Sequence, residues 1–292
     1  MYELVKVTDR FYYINSLSKI AMILTGNKVT LIDSGNNDSA GKRVLRTVER
    51  EGWEIEKILV THAHSDHIGG NKVIVGKTGC PVYATPLEVG YVENPLLEPT
   101  MLYGAYPMRE LCTSFLVADG VPCERLTEEA LPDGVNMIDL YGHTMNMVGF
   151  SVDGVVYLAD AVASSQTLEK YALSYVLDVK GYLETLDKID TLVGDVFIGS
   201  HFGPTSDIKA LTELNRRKIF EVRELIIRLC EEPIIFEDLL SLIFVNYRLN
   251  MTHEQYALVG STLRSYLSWL SNEGVIGSKI IDNHLVFQRL AD

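Results

Sequence analysis

The first eighty residues alternate between short apolar runs and turn residues, with two stretches of helical spacing. In residues 39–51, apolar side chains recur every three or four positions among charged ones, which predicts a surface helix. Asn71–Thr78 predicts a second, shorter helix. Runs of apolar and β-branched residues predict β-strands, and these runs lie at Phe11–Asn15, Ile20–Thr25, Val29–Asp33, Lys57–Thr61 and Pro81–Ala84.

A different pattern occupies residues 86–113, where four prolines and three tyrosines interrupt any periodicity. Proline lacks a backbone donor and interrupts helices and sheet interiors, so this segment predicts an irregular insertion. It could form a lid over a functional site or pack as a surface loop, and the sequence leaves both interpretations open.

Strand-like runs return after residue 135 and are accompanied by one helical stretch, Lys180–Asp190. The turn Asp153-Gly154 joins two of these runs and predicts a β-hairpin. The strands are predicted at Asn136–Tyr141, Gly149–Val152, Val155–Asp160 and Val196–Gly199. Several of them end at or beside a histidine or an aspartate, and loops at strand ends commonly carry the functional site of an α/β protein.

The pattern changes after Pro204. Amphipathic spacing predicts three helices, over Lys209–Glu231, Phe236–Phe244 and His253–Ser271. A two-stranded hairpin is predicted at Val275–Ile281 and His284–Arg289. Helices followed by a hairpin resemble a winged helix. We therefore predict a strand-rich domain over residues 1–205 and a helical, winged-helix-like domain over residues 206–292.

Charge and cysteine usage restrict the setting. The chain carries 26 Lys and Arg against 39 Asp and Glu, a net charge of -13, which repels phosphate backbones. Arg216-Arg217-Lys218 is the only basic run after residue 205, so we do not expect nucleic acid as a partner. No apolar run reaches the roughly 18 residues of a membrane span, and we expect no membrane association. The cysteines form no C-x-x-C pair and predict reduced thiols in a cytoplasmic protein, and they are Cys80, Cys112, Cys123 and Cys230.

Histidines cluster at one place in the chain. Three of the seven lie within six residues, in the stretch Thr61-His62-Ala63-His64-Ser65-Asp66-His67-Ile68-Gly69-Gly70. Neutral imidazole is the commonest metal ligand in proteins. In an extended chain, His62 and His64 point the same way and can hold one metal. Asp66 and His67 follow a turn and can reach a second metal, so the cluster predicts a metal site.

With this H-x-H-x-D-H motif and four shorter motifs in the family's order, the sequence resembles the metallo-β-lactamase fold superfamily. The shorter motifs contain Asp33 in Leu31–Gly35, His143 in Gly142–Thr144, Asp160 in Leu158–Ala161 and His201 in Gly199–Gly203. The resemblance extends over about the first 205 residues. It implies an α/β fold, a metallo-β-lactamase-like αββα sandwich, to which the helical, winged-helix-like part is added.

The resemblance also implies a centre with two metals. Asp160 would bridge them, and Asp33 would orient a ligand through a hydrogen bond. We assign catalytic roles to Asp33 and Asp66. Nitrogen and carboxylate ligands without sulfur suit zinc, with iron or manganese as alternatives. The first metal would be bound by His62, His64 and His143, and the second by Asp66, His67 and His201.

The function implied is a metal-dependent hydrolase that uses a metal-bound hydroxide on a small-molecule ester, thioester or related substrate. An iron-dependent sulfur (persulfide) dioxygenase, a metal-dependent nuclease and a binding protein with a purely structural metal remain open. Many hydroxyacylglutathione hydrolases have a second histidine where Met147 stands, which argues against that particular thioesterase. We expect the C-terminal part to close the substrate pocket or to form a homodimer contact. His253 and His284 lie in it as ordinary residues.

Overall fold

Two β-sheets form the centre of the molecule, and the computed structural model describes them within residues 2–291. The first sheet has seven strands in chain order. Its first four strands pair antiparallel, and each later strand joins in parallel. The strands are β1 (Glu3–Lys6), β2 (Phe11–Asn15), β3 (Ile20–Thr25), β4 (Lys28–Ile32), β5 (Glu54–Leu59), β6 (Val82–Ala84) and β7 (Glu124–Arg125).

The second sheet has four strands in the order β11-β10-β9-β8. Their bounds are β8 (Asn136–Asp139), β9 (Val148–Val152), β10 (Val155–Tyr157) and β11 (Val196–Ile198). The predicted hairpin at Asp153-Gly154 is confirmed, because Val155 pairs with Val152 across that turn. Strands β10 and β11 run parallel, so their carboxyl ends reach the same edge of the sheet.

Alternation of side chains along the strands explains the layers. On β2 and β3, Tyr13 and Ile23 point to the second sheet and join Phe150 and Tyr157 in one apolar core. Ile14 and Met22 point to the opposite side and pack in a second core with helices. Those helices are α1 (Asp38–Arg50) and α3 (Asn71–Thr78), and α2 (Ser65–Ile68) lies between them in the chain. The αββα sandwich is therefore confirmed.

Residues 86–113 are largely helical, so the predicted irregular insertion is wrong. They form α4 (Pro86–Glu93), α5 (Leu97–Tyr103) and a 3-10 turn at Arg109–Leu111. Pro86 occupies the start of α4, where a missing backbone N–H costs no intrahelical hydrogen bond. The prolines that suggested irregularity therefore include one that starts a helix.

The helices α6 (Ser165–Tyr171) and α7 (Val179–Ile189) lie between β10 and β11 in the chain. The chain then forms α8 (Ile208–Leu229), α9 (Phe236–Tyr247) and α10 (His253–Asn272), with a small antiparallel sheet in the order β12-β14-β13. Its strands are β12 (Ile234–Ile235), β13 (Ile276–Ile281) and β14 (His284–Arg289), which confirms the predicted terminal hairpin.

The sandwich and the C-terminal part share apolar packing. Tyr182 of α7, Val222 of α8 and Leu267 of α10 belong to the same buried core as Phe150. Helix α10 also packs against α5 and α7. The C-terminal part is thus helical as expected, while its winged-helix likeness and the boundary at residue 205 stay predictions.

No helix within residues 2–291 is both long enough and apolar enough to cross a membrane.

Candidate metal centre

The carboxyl ends of strands from both sheets converge at one edge of the sandwich. His62 and His64 lie in the loop after β5, and Asp66 and His67 lie in α2. His143 precedes β9, while Asp160 and His201 follow β10 and β11. The structure thus brings together all seven side chains that the sequence predicted as ligands. We call them the ligand cluster: His62, His64, Asp66, His67, His143, Asp160 and His201.

Three imidazoles of the ligand cluster aim ring nitrogens at one point. The Nε2 atoms of His62 and His143 lie 3.0 and 3.1 Å from Nδ1 of His64. Nδ1 of His143 donates to the backbone carbonyl of Tyr175 at 3.1 Å, so its inward Nε2 carries a lone pair. Three ring nitrogens that converge in this way suit one bound cation.

A second group of possible ligands, Asp66, His67 and His201, lies on the other side of Asp160. Asp160 Oδ2 lies 3.2 Å from Nε2 of His201, 3.5 Å from Nε2 of His67 and 3.8 Å from Nε2 of His143. Asp66 Oδ2 lies 3.5 Å from Nε2 of His67 and 3.4 Å from Nε2 of His201. Tetrahedral ligands with metal bonds of about 2.1 Å are separated by roughly 3.4 Å. Asp160 therefore stands between the two groups, where a bridging carboxylate would lie.

The nitrogens that face away from the centre have partners that fix the rings. Nδ1 of His67 donates to Asp33 Oδ2 at 2.8 Å, and Nδ1 of His201 donates to the Leu17 carbonyl at 3.0 Å. Such outer partners orient metal-binding histidines and select their tautomer. Nδ1 of His62 lies 3.0 Å from Thr61 Oγ1.

Asp33 connects two of these rings. Its Oδ2 accepts from His67 Nδ1 and also from Thr61 Oγ1, at 2.9 Å. Its Oδ1 accepts from the Thr61 backbone N–H at 2.8 Å. Since Thr61 Oγ1 lies beside His62, the buried Asp33 carboxylate orients His67 directly and His62 through Thr61. The hydrogen bond predicted for Asp33 is therefore present in the structure.

The histidine pKa values shift in opposite directions in the two groups of ligands. Burial, reinforced by neighbouring imidazoles, lowers the pKa of His64 to about 3 and that of His62 well below its usual value. Asp160 raises the pKa of His201 to about 10. For His67, burial opposes protonation, yet the carboxylates of Asp66, Asp160 and Asp33 raise the pKa well above its usual value. The first group thus favours neutral ligands, and the second concentrates negative charge that a cation offsets.

Two buried atoms in the ligand cluster lack a hydrogen-bond partner. They are Nε2 of His67 and Oδ1 of Asp160. Buried polar atoms in proteins are nearly always paired, so an unpaired nitrogen and oxygen here need an explanation. A divalent metal supplies one, because both atom types are metal ligands. The donor set therefore fits a metal, and it could hold two.

Close backbone packing positions His143. Gly142 has a φ of 110°, which L side chains rarely adopt, and a Cβ there would clash with the backbone nitrogen of Tyr182. Its carbonyl also accepts from the backbone N–H of Leu177 and Asp178. Glycine at this position lets helix α7 approach the loop that carries the histidine.

Three further residues around the ligand cluster were not predicted. Ser18 Oγ donates to Asp66 Oδ2 at 2.5 Å. Glu98 of α5 is only 5% exposed, and its Oε1 lies 3.9 Å from Nε2 of His64. The Tyr175 ring stands edge-on to His64, with centroids 5.3 Å apart. None belongs to a recognisable motif, and Glu98 lies in the segment whose prolines predicted irregular structure.

A family comparison agrees with the fold and with this arrangement. The model of the metallo-beta-lactamase superfamily matches residues 17–201, more than half of the chain. The protein therefore belongs to the metallo-β-lactamase superfamily. The matched range begins beside Ser18 and ends at His201, so it contains the whole ligand cluster.

Similarity to curated proteins is local. The chain is 51% identical to a hydroxyacylglutathione hydrolase of Erythrobacter litoralis over 49 residues, 17% of this chain and 19% of that protein. It is 34% identical to the exodeoxyribonuclease WalJ of Streptococcus pneumoniae over 70 residues, 24% of this chain and 26% of that protein. A probable metallo-hydrolase of Methanocaldococcus jannaschii is 25% identical over 149 residues, 50% of this chain and 68% of that protein. The chain thus spans about a quarter or less of the first two relatives.

Solved structures show the same fold over nearly the whole chain. A metallo-beta-lactamase family protein from Thermus thermophilus aligns with a TM-score of 0.72 and 18% identity, covering 98% of this chain and 97% of that one. A beta-lactamase domain protein from Burkholderia ambifaria gives 0.73 and 18%, covering 99% and 94%. At sequence identities this low, the similarity shows the fold alone.

Proposed function

We propose that the protein is a metal-dependent hydrolase that cleaves a small ester, thioester or related substrate, with two divalent ions, zinc first, at the ligand cluster. The observation that carries the proposal is the convergence of five imidazoles and two carboxylates from segments that follow β5, β10 and β11 and precede β9. Asp160 Oδ2 lies within 3.8 Å of nitrogens from both groups, which supports two metals rather than one.

A bound pair of divalent metals supplies an activated water and polarises the oxygen of the bond to be cleaved. The chain's own residues hold that centre in one geometry. Asp33 fixes His67, and Ser18 holds Asp66 by donating to its Oδ2. Asp66 is more exposed than Asp160, with side-chain exposures of 37% and 11%. Asp66 is therefore the carboxylate that a substrate approaches.

The experiment measures metal content and hydrolysis on the same preparation. Protein purified without added metal is analysed for zinc, iron and manganese, then assayed with acetyl esters and acetyl thioesters before and after chelation. We expect close to two zinc ions per chain and hydrolysis that disappears on chelation and returns with zinc.

Other outcomes identify the alternative functions. A single iron per chain, with oxygen consumption on a persulfide and no ester hydrolysis, would replace the hydrolase with a dioxygenase. Cleavage of DNA or RNA that is lost in His67→Ala, with esters untouched, would make the protein a nuclease. Full metal content with no turnover of any of these substrates would leave a structural metal site.

A further inference from the structure

A cavity of about 590 Å³ opens in front of the ligand cluster. His64, Asp66, His143, Asp160 and His201 all line it. The volume lies within the range of small-molecule sites, about 300–1,000 Å³. The cavity also reaches helix α10 of the C-terminal part, which contributes Leu258 and Val259. The substrate of the ligand cluster therefore meets residues from both parts of the chain.

The lining of the cavity is mainly apolar. We call five of its apolar side chains the apolar wall: Leu116, Val162, Leu173, Leu258 and Val259. Four of these are no more than 6% exposed, and Leu258 is half-buried. Ligand sites of this kind bind their occupant mainly by excluding water from apolar surface.

Two polar residues beside the apolar wall are already engaged within the protein. The hydroxyl of Tyr182 donates to Asn215 Oδ1 at 2.8 Å. The hydroxyl of Thr262 accepts from the Val176 backbone N–H at 3.3 Å. These two hydroxyl groups are consequently less available to a polar ligand, which strengthens the apolar character of the lining.

Two polar residues of the lining, Glu98 and Tyr175, stand beside the metal ligands. Glu98 Oε1 lies 3.9 Å from Nε2 of His64. The Tyr175 ring is edge-on to both His64 and His143, with centroid separations of 5.3 and 5.5 Å. The cavity thus combines polar groups beside the metal ligands with a mainly apolar lining, which matches an acyl group with its carbonyl at the metals.

Away from the ligand cluster the cavity offers little to a polyanionic chain, because Lys170 is the only lysine or arginine in its lining. The Lys170 ammonium donates to the Tyr171 hydroxyl at 2.8 Å and also lies over that ring. Binding of a phosphodiester chain needs several cationic contacts along its backbone, and the lining offers one lysine.

From these observations we propose that the apolar wall binds the acyl chain of a carboxylic ester or thioester, so that the protein prefers medium-length acyl groups over acetyl. The inference rests on the proposed hydrolase function and adds the class of substrate. Helix α10 is then part of the substrate site, since it supplies Leu258 and Val259.

The test is a chain-length series on the metal-loaded full-length protein. Acyl 4-nitrophenyl esters and the matching thioesters are compared from acetyl through butanoyl and hexanoyl to octanoyl. We expect kcat/KM to rise by up to about fourfold per added methylene until the cavity is filled, which corresponds to about 0.8 kcal/mol for each methylene buried. We expect KM to fall more than kcat rises, because the acyl chain is remote from the reacting bond.

A pair of variants assigns the preference to the apolar wall. Leu258→Trp enlarges a side chain of the apolar wall itself and should lower the ratio of octanoyl to acetyl kcat/KM at least tenfold. Leu242→Trp is the matched control, because Leu242 lies on α9 outside the cavity and is 40% exposed. It should leave the ratio unchanged. Thermal unfolding of both variants verifies that they fold.

The outcomes separate this inference from the function on which it rests. Hydrolysis of acetyl esters with a flat or falling chain-length profile in the unmodified protein overturns the acyl site and leaves the hydrolase intact. A rising profile that Leu258→Trp does not alter, in a folded variant, also overturns the assignment to the apolar wall. Failure to hydrolyse any acyl substrate with metal bound would remove the hydrolase proposal itself.

Discussion

The ligand cluster and the apolar wall border the same cavity but are built in opposite ways. Four of the seven members of the ligand cluster lie within six consecutive residues, His62–His67. The apolar wall takes its side chains from segments as distant as Leu116, Leu173 and Val259. One short segment thus contributes more than half of the ligand cluster, whereas the apolar wall is assembled from separate loops and helix α10. Substitutions in the two regions should separate metal binding from substrate choice.

The largest effect should come from Asp160→Ala. Asp160 stands between both groups of ligands, with Oδ2 within 3.8 Å of His67, His143 and His201. Its removal should cost most of the bound metal and lower kcat/KM by more than about 100-fold, since loss of an outer partner alone costs 10–100-fold. Elemental analysis and acetyl ester hydrolysis measure both losses.

Asp139→Ala is the matched control for this prediction. Asp139 also ends a strand of the second sheet, but it is exposed and lies outside the ligand cluster. It should keep its metal and its activity. Full metal content in Asp160→Ala would contradict the bridging position of Asp160. It would also weaken the assignment of metal binding to the ligand cluster, because the cluster would then keep its metal without its central carboxylate.

The next largest effect is expected for Asp33→Asn. Asparagine keeps the shape but loses the charge that accepts from His67 Nδ1 and Thr61 Oγ1. Metal affinity and kcat/KM should each fall about 10–100-fold. Competition with a chelator of known affinity measures the first. The exposed Asp38→Asn at the start of α1 should change neither, and equal affinity in the two variants would remove Asp33 from the site.

The sequence predicted the ligand cluster more completely than its surroundings, for a physical reason. Motif residues such as His62 and Asp160 follow strands, so β-periodicity and residue type together placed them. Glu98 was missed because its position beside His64 depends on the packing of α5 against α10, which no local pattern encodes. The strand β1 (Glu3–Lys6) was also missed, since its mixed charged and apolar residues give a weak pattern.

Glu98→Gln tests a residue that lines the cavity and also lies beside the ligand cluster. Glu98 faces the cavity, yet its carboxylate is 3.9 Å from His64 Nε2, longer than a hydrogen bond. Burial, together with Asp66 and Glu88, raises the pKa of Glu98 well above its usual value, so the neutral amide is a mild replacement. We expect metal affinity to fall by less than about tenfold, the lower end for outer partners.

The exposed Glu128→Gln is the control for this substitution and should behave as the unmodified protein. A loss for Glu98→Gln as large as that for Asp33→Asn would place Glu98 within the metal-binding machinery. Helix α5, which carries Glu98, would then have to be counted with the ligand cluster and not with the lining that selects the substrate.

The smallest effect is expected for His253→Ala, although histidine is the residue type that defines the ligand cluster. His253 begins α10 and is exposed, and Thr252, not His253, caps the helix by accepting from the Gln255 backbone N–H. Stability should change by no more than about 0.5 kcal/mol, as for most surface substitutions. Metal content and the chain-length profile should not change. Leu258 of the same helix lines the cavity. An altered chain-length profile in His253→Ala would therefore mean that the acyl site extends from Leu258 to the N-terminal end of α10.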